Sequence, residues 1–369
     1  MSLNCGIVGL PNVGKSTLFN ALSETAKAQA ANYPFCTIEP NIGVVAVPDA
    51  RLDQLSALYH PKKTTPASLE FVDIAGLVKG ASKGEGRGNK FLDNIRQTDA
   101  LCHVVRCFHD PNVVHVDGSV DPVRDIETID AELCLKDLES VEKRRDRTQK
   151  QTKAAGKAGE EAKAELELLI KVDAGLNQGV PVRAQGLSPE ERAILRELFL
   201  LTAKPVLFVA NIAEAQIGKE DDPLVTKVRE QATRENAPVV TICAELESQI
   251  VALPAAERAD FLAGAGLAEP GLHRLVRAGY KLLGLLTFFT AGEDECRAWT
   301  LKQGGHAPQA AGVIHTDFER GFIKAEICRV EDLLKYRSDA ALREKGLLRI
   351  EGKDYVMHDG DVAHFRFNV

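Results

Sequence analysis

The sequence predicts an α/β protein: a mostly parallel sheet with helices on both faces, carrying an inserted helical hairpin and followed by a small α+β domain. Three observations point there. Short apolar runs at residues 5–10 (CGIVGL), 69–72, 100–108 (ALCHVVRCF), 205–210 (PVLFVA) and 237–242 (APVVTI) are separated by helix-compatible stretches, as buried parallel strands require. Residues 142–170 are rich in charge and break only at Gly156–Gly159. Beyond about residue 281, short strand-like pieces alternate with turn signals such as Gly304-Gly305 and Asp359-Gly360-Asp361.

Taken in order, the run at 5–10 is the first strand, and 15–22 (KSTLFNAL) is an amphipathic helix entered directly from a glycine-rich turn. Residues 43–47 form a β-branched strand, 51–58 a helix and 69–72 the next strand. From 125 to about 170, Leu133, Leu138 and Val141 give a short apolar stripe, and the glycine break turns two long helices back on each other. Between Lys143 and Lys157 seven residues are basic and one is acidic, which suits either a solvated helix face or contact with a polyanion such as RNA. The last domain reads as strands at 285–290, 298–301, 321–327 and 362–367. His103, inside the strand 100–108, is expected in the core or at a strand end.

Composition narrows the class. The 369 residues are 44% hydrophobic and 27% charged, which is ordinary for a folded globular chain. No apolar stretch is long enough to cross a bilayer, and no secretory signal precedes the first strand. Eight scattered cysteines without C-x-x-C spacing read as reduced and buried. A soluble, cytoplasmic protein is expected, with no membrane or DNA partner. At a net charge of −7, polyanion binding would need a local patch.

The chemistry is carried by Gly9-Leu10-Pro11-Asn12-Val13-Gly14-Lys15-Ser16-Thr17, a G-x-x-x-x-G-K-S between a strand and a helix. Glycines let backbone N–H groups wrap phosphates, and the helix N-terminus adds a favourable field. Lys15 is placed for the β/γ-phosphates and the Ser16 hydroxyl for Mg²⁺. Asn12, Val13, Gly14 and Thr17 complete the phosphate-binding loop. After the strand 69–72, Asp73-Ile74-Ala75-Gly76 puts a carboxylate near the metal and a glycine amide near the γ-phosphate. Thr37, between these motifs in YPFCTIEP, supplies a hydroxyl to the same Mg²⁺, unless it is an ordinary turn residue. Glycines 76, 80, 84, 86 and 88 suit a segment that orders with the γ-phosphate.

With these motifs in view, GLPNVGKST, YPFCTIEPN, FVDIAGLVKGASKGEGRGN and the C-terminal RAWTL, APQAAGVIHTDFERGFIKAEI and GKDY resemble the YchF family of Obg-like ATPases, essentially end to end. The resemblance implies a P-loop G domain at 1–125 and 203–280, an inserted coiled-coil hairpin at 126–202, and a β-grasp TGS domain at 281–369. It also implies an ATPase that binds ribosomes (the 50S subunit and the 70S particle), with the basic hairpin and the TGS domain as contacts and a role in translation or stress.

Two departures from ordinary GTPases bear on mechanism. Where N-K-x-D would read guanine, this chain has Asn211-Ile212-Ala213-Glu214. An Asp there accepts from guanine N1–H and N2–H₂; adenine offers neither donor, so the moved carboxylate and the loss of the stacking Lys remove guanine selectivity. The resemblance assigns ATP preference to Asn211, Ile212 and Glu214, with Cys243-Ala244-Glu245 lining the base. Leu77 follows Gly76 where many GTPases place a water-orienting Gln. Leucine can neither orient nor deprotonate water, so hydrolysis is slow or uses His115, Asn12 through a monovalent cation, or an activator on the ribosome. The resemblance favours His115; otherwise it is simply an exposed loop histidine. An Obg-type GTPase and a non-hydrolysing, nucleotide-gated regulator are the competing readings. Cys36 lies in the switch-like loop, where oxidation would block nucleotide binding.

Overall fold

A computed structural model describes residues 3–29, 41–74, 92, 94–219 and 221–368. By packing, the chain divides into two units: 1–24, 39–43 and 71–275 in the first, and 25–38, 44–70 and 276–369 in the second. Thr37, Cys36, Gly76, Leu77 and the glycines at 80, 84, 86 and 88 lie outside the described residues.

The strands of the first sheet run in the order β2-β4-β1-β5-β6-β7, with β1 Asn4–Val8, β2 Ile42–Ala46, β4 Ser68–Asp73, β5 Ala100–Arg106, β6 Val206–Asn211 and β7 Val239–Ile242. The pairs β1–β5, β5–β6 and β6–β7 are parallel, with Val8 opposite His103, Arg106 opposite Asn211 and Asn211 opposite Ile242. All seven residues of β5 are buried, as the uninterrupted apolar run requires. Because the strands are parallel, their C-terminal ends line up on one edge, where open α/β sheets place ligands. Helix α1, Lys15–Gln29, leaves that edge directly after β1.

Helix α2 is Ala50–Tyr59; α3, Pro122–Gln151, and α4, Lys157–Asn177, form the hairpin. Asp121 caps α3, accepting from the Val123 N–H, with Pro122 in the first turn. Gly156, at φ 72°, makes the turn into α4. The hairpin core joins Cys134, Val141, Leu168, Leu169, Val172 and Leu176, so the predicted stripe faces inward. At its base the buried Asp137 carboxylate accepts from Leu201 N (2.8 Å), Thr202 N (2.8 Å) and Thr202 Oγ1 (2.7 Å). Arg183 sits between Asp130 and Glu235, at 2.6 Å from each.

The second sheet, β11-β10-β12-β8-β9-β3, comprises Arg349–Glu351, Phe322–Arg329, Asp361–Phe367, Leu285–Thr290, Glu295–Lys302 and Lys63–Thr65. One face packs on the helix Ala307–Ile314, burying Phe288, Ile327, Ala310, Ala311 and Phe365. Strand β3 pairs parallel with β9, Lys63 opposite Glu295, so a piece of the N-terminal third belongs to this unit. Nothing in the three-residue KTT signals that pairing. Arg51 of α2 supports it, bonding Asp359 at 2.6 Å and lying over the Phe289 ring. Among the described residues no helix is long and apolar enough to cross a membrane, and all seven described cysteines are free and buried.

Candidate functional site

The loop between β1 and α1 is shaped by close approaches that only glycine permits. A Cβ on Gly9 would stand 2.5 Å from the Val104 carbonyl oxygen, so β5 packs directly on the loop. Gly14 has φ +98°, and a Cβ there would come within 2.2 Å of Asn211 Nδ2. Asn12 also takes a left-handed conformation, φ 60°. The loop then enters α1, presenting the N–H-rich helix end, with the side chains of Ser16 and Thr17 exposed.

Lys15 is only 7% exposed, and its Nζ donates to Leu10 O at 2.5 Å. Burial pushes its pKa from 10.5 down to about 8, and the neighbouring Asp73 carboxylate partly opposes this. Asp73, at the end of β4, is in turn pushed up by burial and held back by Lys15. The two groups therefore form one electrostatic unit.

Asn211 closes the cradle from the other side. Its Nδ2 donates to Val13 O (2.9 Å), and its Oδ1 accepts from Ala244 N (3.0 Å). One buried amide thus ties the phosphate loop, the end of β6 and the start of the helix Ala244–Ala252. Ile212 is buried; its N–H donates to Ile242 O (2.8 Å), and it lines a cavity of about 220 Å³ with Gln216, Val225, Cys243 and Leu246. Glu214 is exposed, at the start of a short 3₁₀ turn, Glu214–Gln216. That turn is pinned by Gln216, which accepts from Ala213 N (2.8 Å) and donates to Cys107 O (2.9 Å) and Asp222 (2.7 Å). Cys243, capping the next helix, is buried, which raises its thiol pKa.

The loop after β5 has a less expected organisation. Arg106, 2% exposed, donates to Phe108 O (3.1 Å), Val113 O (2.9 Å) and Asp110 O (3.2 Å), with its guanidinium over the Phe108 ring. Asn12 Nδ2 donates to Val114 O (3.1 Å), joining this loop to the phosphate loop. His115 is buried rather than solvent-exposed: its Nε2 lies 2.8 Å from Asp125 Oδ2, and its Nδ1 accepts from Asp117 N (3.1 Å). Nδ1 accepts, so the neutral ring carries its proton on Nε2, facing Asp125. His103 is also buried, tilted against Phe208 at 5.5 Å between centroids.

The structure therefore gathers Asn12, Val13, Gly14, Lys15, Asp73 and Asn211, with Ile212 and Glu214 following in the adjoining turn. It places His115 in a separate pair with Asp125. Sequence reading missed Arg106, Asp125 and the Asn12–Val114 bond. Arg106 had a signal, a lone cation in the run ALCHVVRCF; Asp125 had none, since its role depends on how the loop folds back.

A family model described as a 50S ribosome-binding GTPase matches residues 4–150, and the model YchF-GTPase_C, described as a protein of unknown function, matches 285–368. The chain is 54% identical to a protein named Ribosome-binding ATPase YchF from Bacillus subtilis (strain 168) over 373 aligned residues, covering 100% of both. It is 54% identical to the protein of that name from Escherichia coli O157:H7 and 45% to that from Mycoplasma genitalium, each with full coverage of both chains. A solved structure titled "Structure of the Schizosaccharomyces pombe YchF GTPase" matches with TM-score 0.90 at 39% identity, covering 99% of this chain and 98% of that one. These names divide between ATP and GTP.

Proposed function

The chain belongs to the YchF family, and on that premise we propose that it is a ribosome-binding ATPase that hydrolyses ATP to ADP and phosphate as a nucleotide-dependent switch. One observation carries the reading: the buried amide of Asn211 bonds both Val13 and Ala244, which puts the base-reading loop in register with the phosphate loop. ATP selection falls to the N-x-x-E at 211–214. Glu214 is the one exposed charge of that motif, and its carboxylate, one methylene further out than an Asp, no longer meets guanine N1–H and N2–H₂, so GTP loses its advantage over ATP. Ile212 contributes by leaving no lysine over the base; its own side chain is in the core.

We propose Mg²⁺ as the companion ion. The exposed Ser16 hydroxyl at the first turn of α1 and the half-buried Asp73 carboxylate beside Lys15 are hard oxygen donors that fit it, with Thr37 as the expected third. Once bound, the ion would neutralise charge on the β- and γ-phosphates. Lys15, kept free of bulk water, would meet the same oxygens as a point charge, and the amides of 13–17 would orient the triphosphate.

The proposed domain division is 1–125 with 203–280 for nucleotide, 126–202 for the hairpin and 281–369 for a TGS-type domain; the second sheet, with a helix on one face, suits that last assignment. For the ribosome (50S and 70S), and no membrane or DNA, the proposed contacts are that domain and the hairpin tip. Arg144 and Arg145 bond Glu165 and Asp173 within the hairpin, which leaves Lys143, Arg147, Lys150 and Lys153 exposed as the cationic face. Such a protein works in the cytoplasm.

A nucleotide-gated regulator that does not turn over remains the second reading, favoured by His115, whose two ring nitrogens are both engaged. Single-turnover hydrolysis of ATP with and without 70S ribosomes separates the two. The ATPase reading expects phosphate release that the ribosome accelerates and that falls about a hundredfold in His115→Ala. No release under either condition would leave the regulator.

A further inference from the structure

At the base of the hairpin lies a cavity of about 430 Å³ whose polar lining is almost wholly cationic: Arg183, Arg192, Arg196 and Lys204, against the single acid Asp99. Asp99 is already occupied, accepting from Asn4 N at 3.0 Å. Arg192 and Arg196 stand four residues apart, so they share one side of the helical stretch, and both are exposed. Among the described residues neither has a carboxylate partner; Arg192 Nε donates to the Leu187 carbonyl at 3.1 Å. The nearby acids are engaged elsewhere: Glu190 with Ser188, Glu191 with Lys171, and Glu197 with Arg144. Lys204 is fixed by the carbonyls of Arg96 and Thr98. Arg183 is buried between Asp130 and Glu235, yet its Nη1 has no partner, so both N–H groups of that nitrogen in a wall residue are unused.

Beside these groups stands Phe199. It is 67% exposed and holds φ 47°, ψ 44°, a left-handed conformation that glycine or asparagine would adopt more cheaply. A bulky ring kept in strained backbone, largely exposed and lining a cationic cavity, has no part in the hydrophobic core. A flat exposed ring next to unpaired guanidinium groups is the pairing that binds an unstacked base with its phosphate. The volume suits one such unit.

We propose that this cavity takes one nucleotide of a single-stranded RNA, its base on Phe199 and its phosphate on Arg192 and Arg196. The choice of RNA over a free nucleotide rests on the ribosome-binding reading; the cavity itself does not. It is a second nucleotide site, built from residues outside the phosphate loop.

The test uses the full chain with a non-hydrolysable ATP analogue present, so that the phosphate loop is filled. Fluorescence anisotropy with a labelled single-stranded RNA decamer compares wild type with Phe199→Gly, Phe199→Tyr and Arg196→Ala. Phe199→Gly relieves the backbone strain, so its melting temperature should match or exceed that of wild type. Its RNA affinity should fall at least fivefold, the loss of one stacked base. Phe199→Tyr should bind as wild type, and Arg196→Ala should reduce the salt dependence by about one phosphate contact. Displacement of the decamer by millimolar AMP would overturn the RNA assignment in favour of a free nucleotide; no displacement supports it. Equal affinity of wild type, Phe199→Gly and Arg196→Ala, or no binding by wild type, overturns the site. Co-sedimentation of the wild type with ribosomes reports separately on the functional reading.

Discussion

At the scale of single residues, the molecule keeps one lysine at a cost. Lys15 is buried, with its pKa at about 8 against 10.5 in the unfolded chain. The sign follows from proton counting. Below pH 8 both states carry the proton, and the folded state bears the full cost of the buried charge. Between pH 8 and 10.5 the unfolded chain binds more protons, so stability rises with pH in that window. Urea unfolding of wild type and Lys15→Met should therefore converge as pH is raised. Wild type should gain about 2 kcal/mol relative to the variant between pH 8 and 10; parallel curves would show that the ammonium is well solvated. On the proposed function, a triphosphate at the loop would give that charge a partner, and the cost would favour the bound state. Asn211 shows the complementary logic. Its amide satisfies a carbonyl of one loop and an N–H of another, and the same crowding leaves no room for a Cβ at Gly14.

At the scale of elements, strand β5 connects the core to the site. Its buried His103 has a pKa lowered to about 3, chiefly by burial and then by the Arg183 charge. In the unfolded chain the ring takes up its proton below pH 6.5, so the stability it contributes is present above 6.5 and lost as pH falls towards 3. Acid unfolding should show this: wild type should lose about 2 kcal/mol more than His103→Phe between pH 6.5 and 5. An equal loss in both proteins would place the ring in contact with water.

The chain order of apolar runs made most of these elements legible. The strands at 100–106 and 206–211 fall within two residues of their predicted ends, because a parallel sheet covered on both faces writes its burial directly into sequence. The core position of His103 was legible for the same reason. What could not be read depends on tertiary contact. Strand β3 is three polar residues that gain an identity only beside β9. His115 looks like a loop histidine until the loop, gathered by three bonds from Arg106, folds it onto Asp125.

At the scale of the whole molecule, the P-loop fold was readable because G-x-x-x-x-G-K-S between a strand and a helix fixes the spacing of the loop, whereas the turn Glu214–Gln216 after β6 leaves no such mark in the sequence. The second unit carries its own core and its own six-stranded sheet. The chain therefore combines a mostly parallel sheet carrying a long helical hairpin with a separate mixed sheet. The most direct test of the proposed ATP preference is equilibrium titration of the full chain with ATP and with GTP in the presence of Mg²⁺, for wild type and Glu214→Asp. ATP should bind at least about tenfold more tightly than GTP, a difference of about 1.4 kcal/mol, and the variant should lose that margin or shift towards GTP. Tighter binding of GTP by the wild type would contradict the account and make the protein a GTPase.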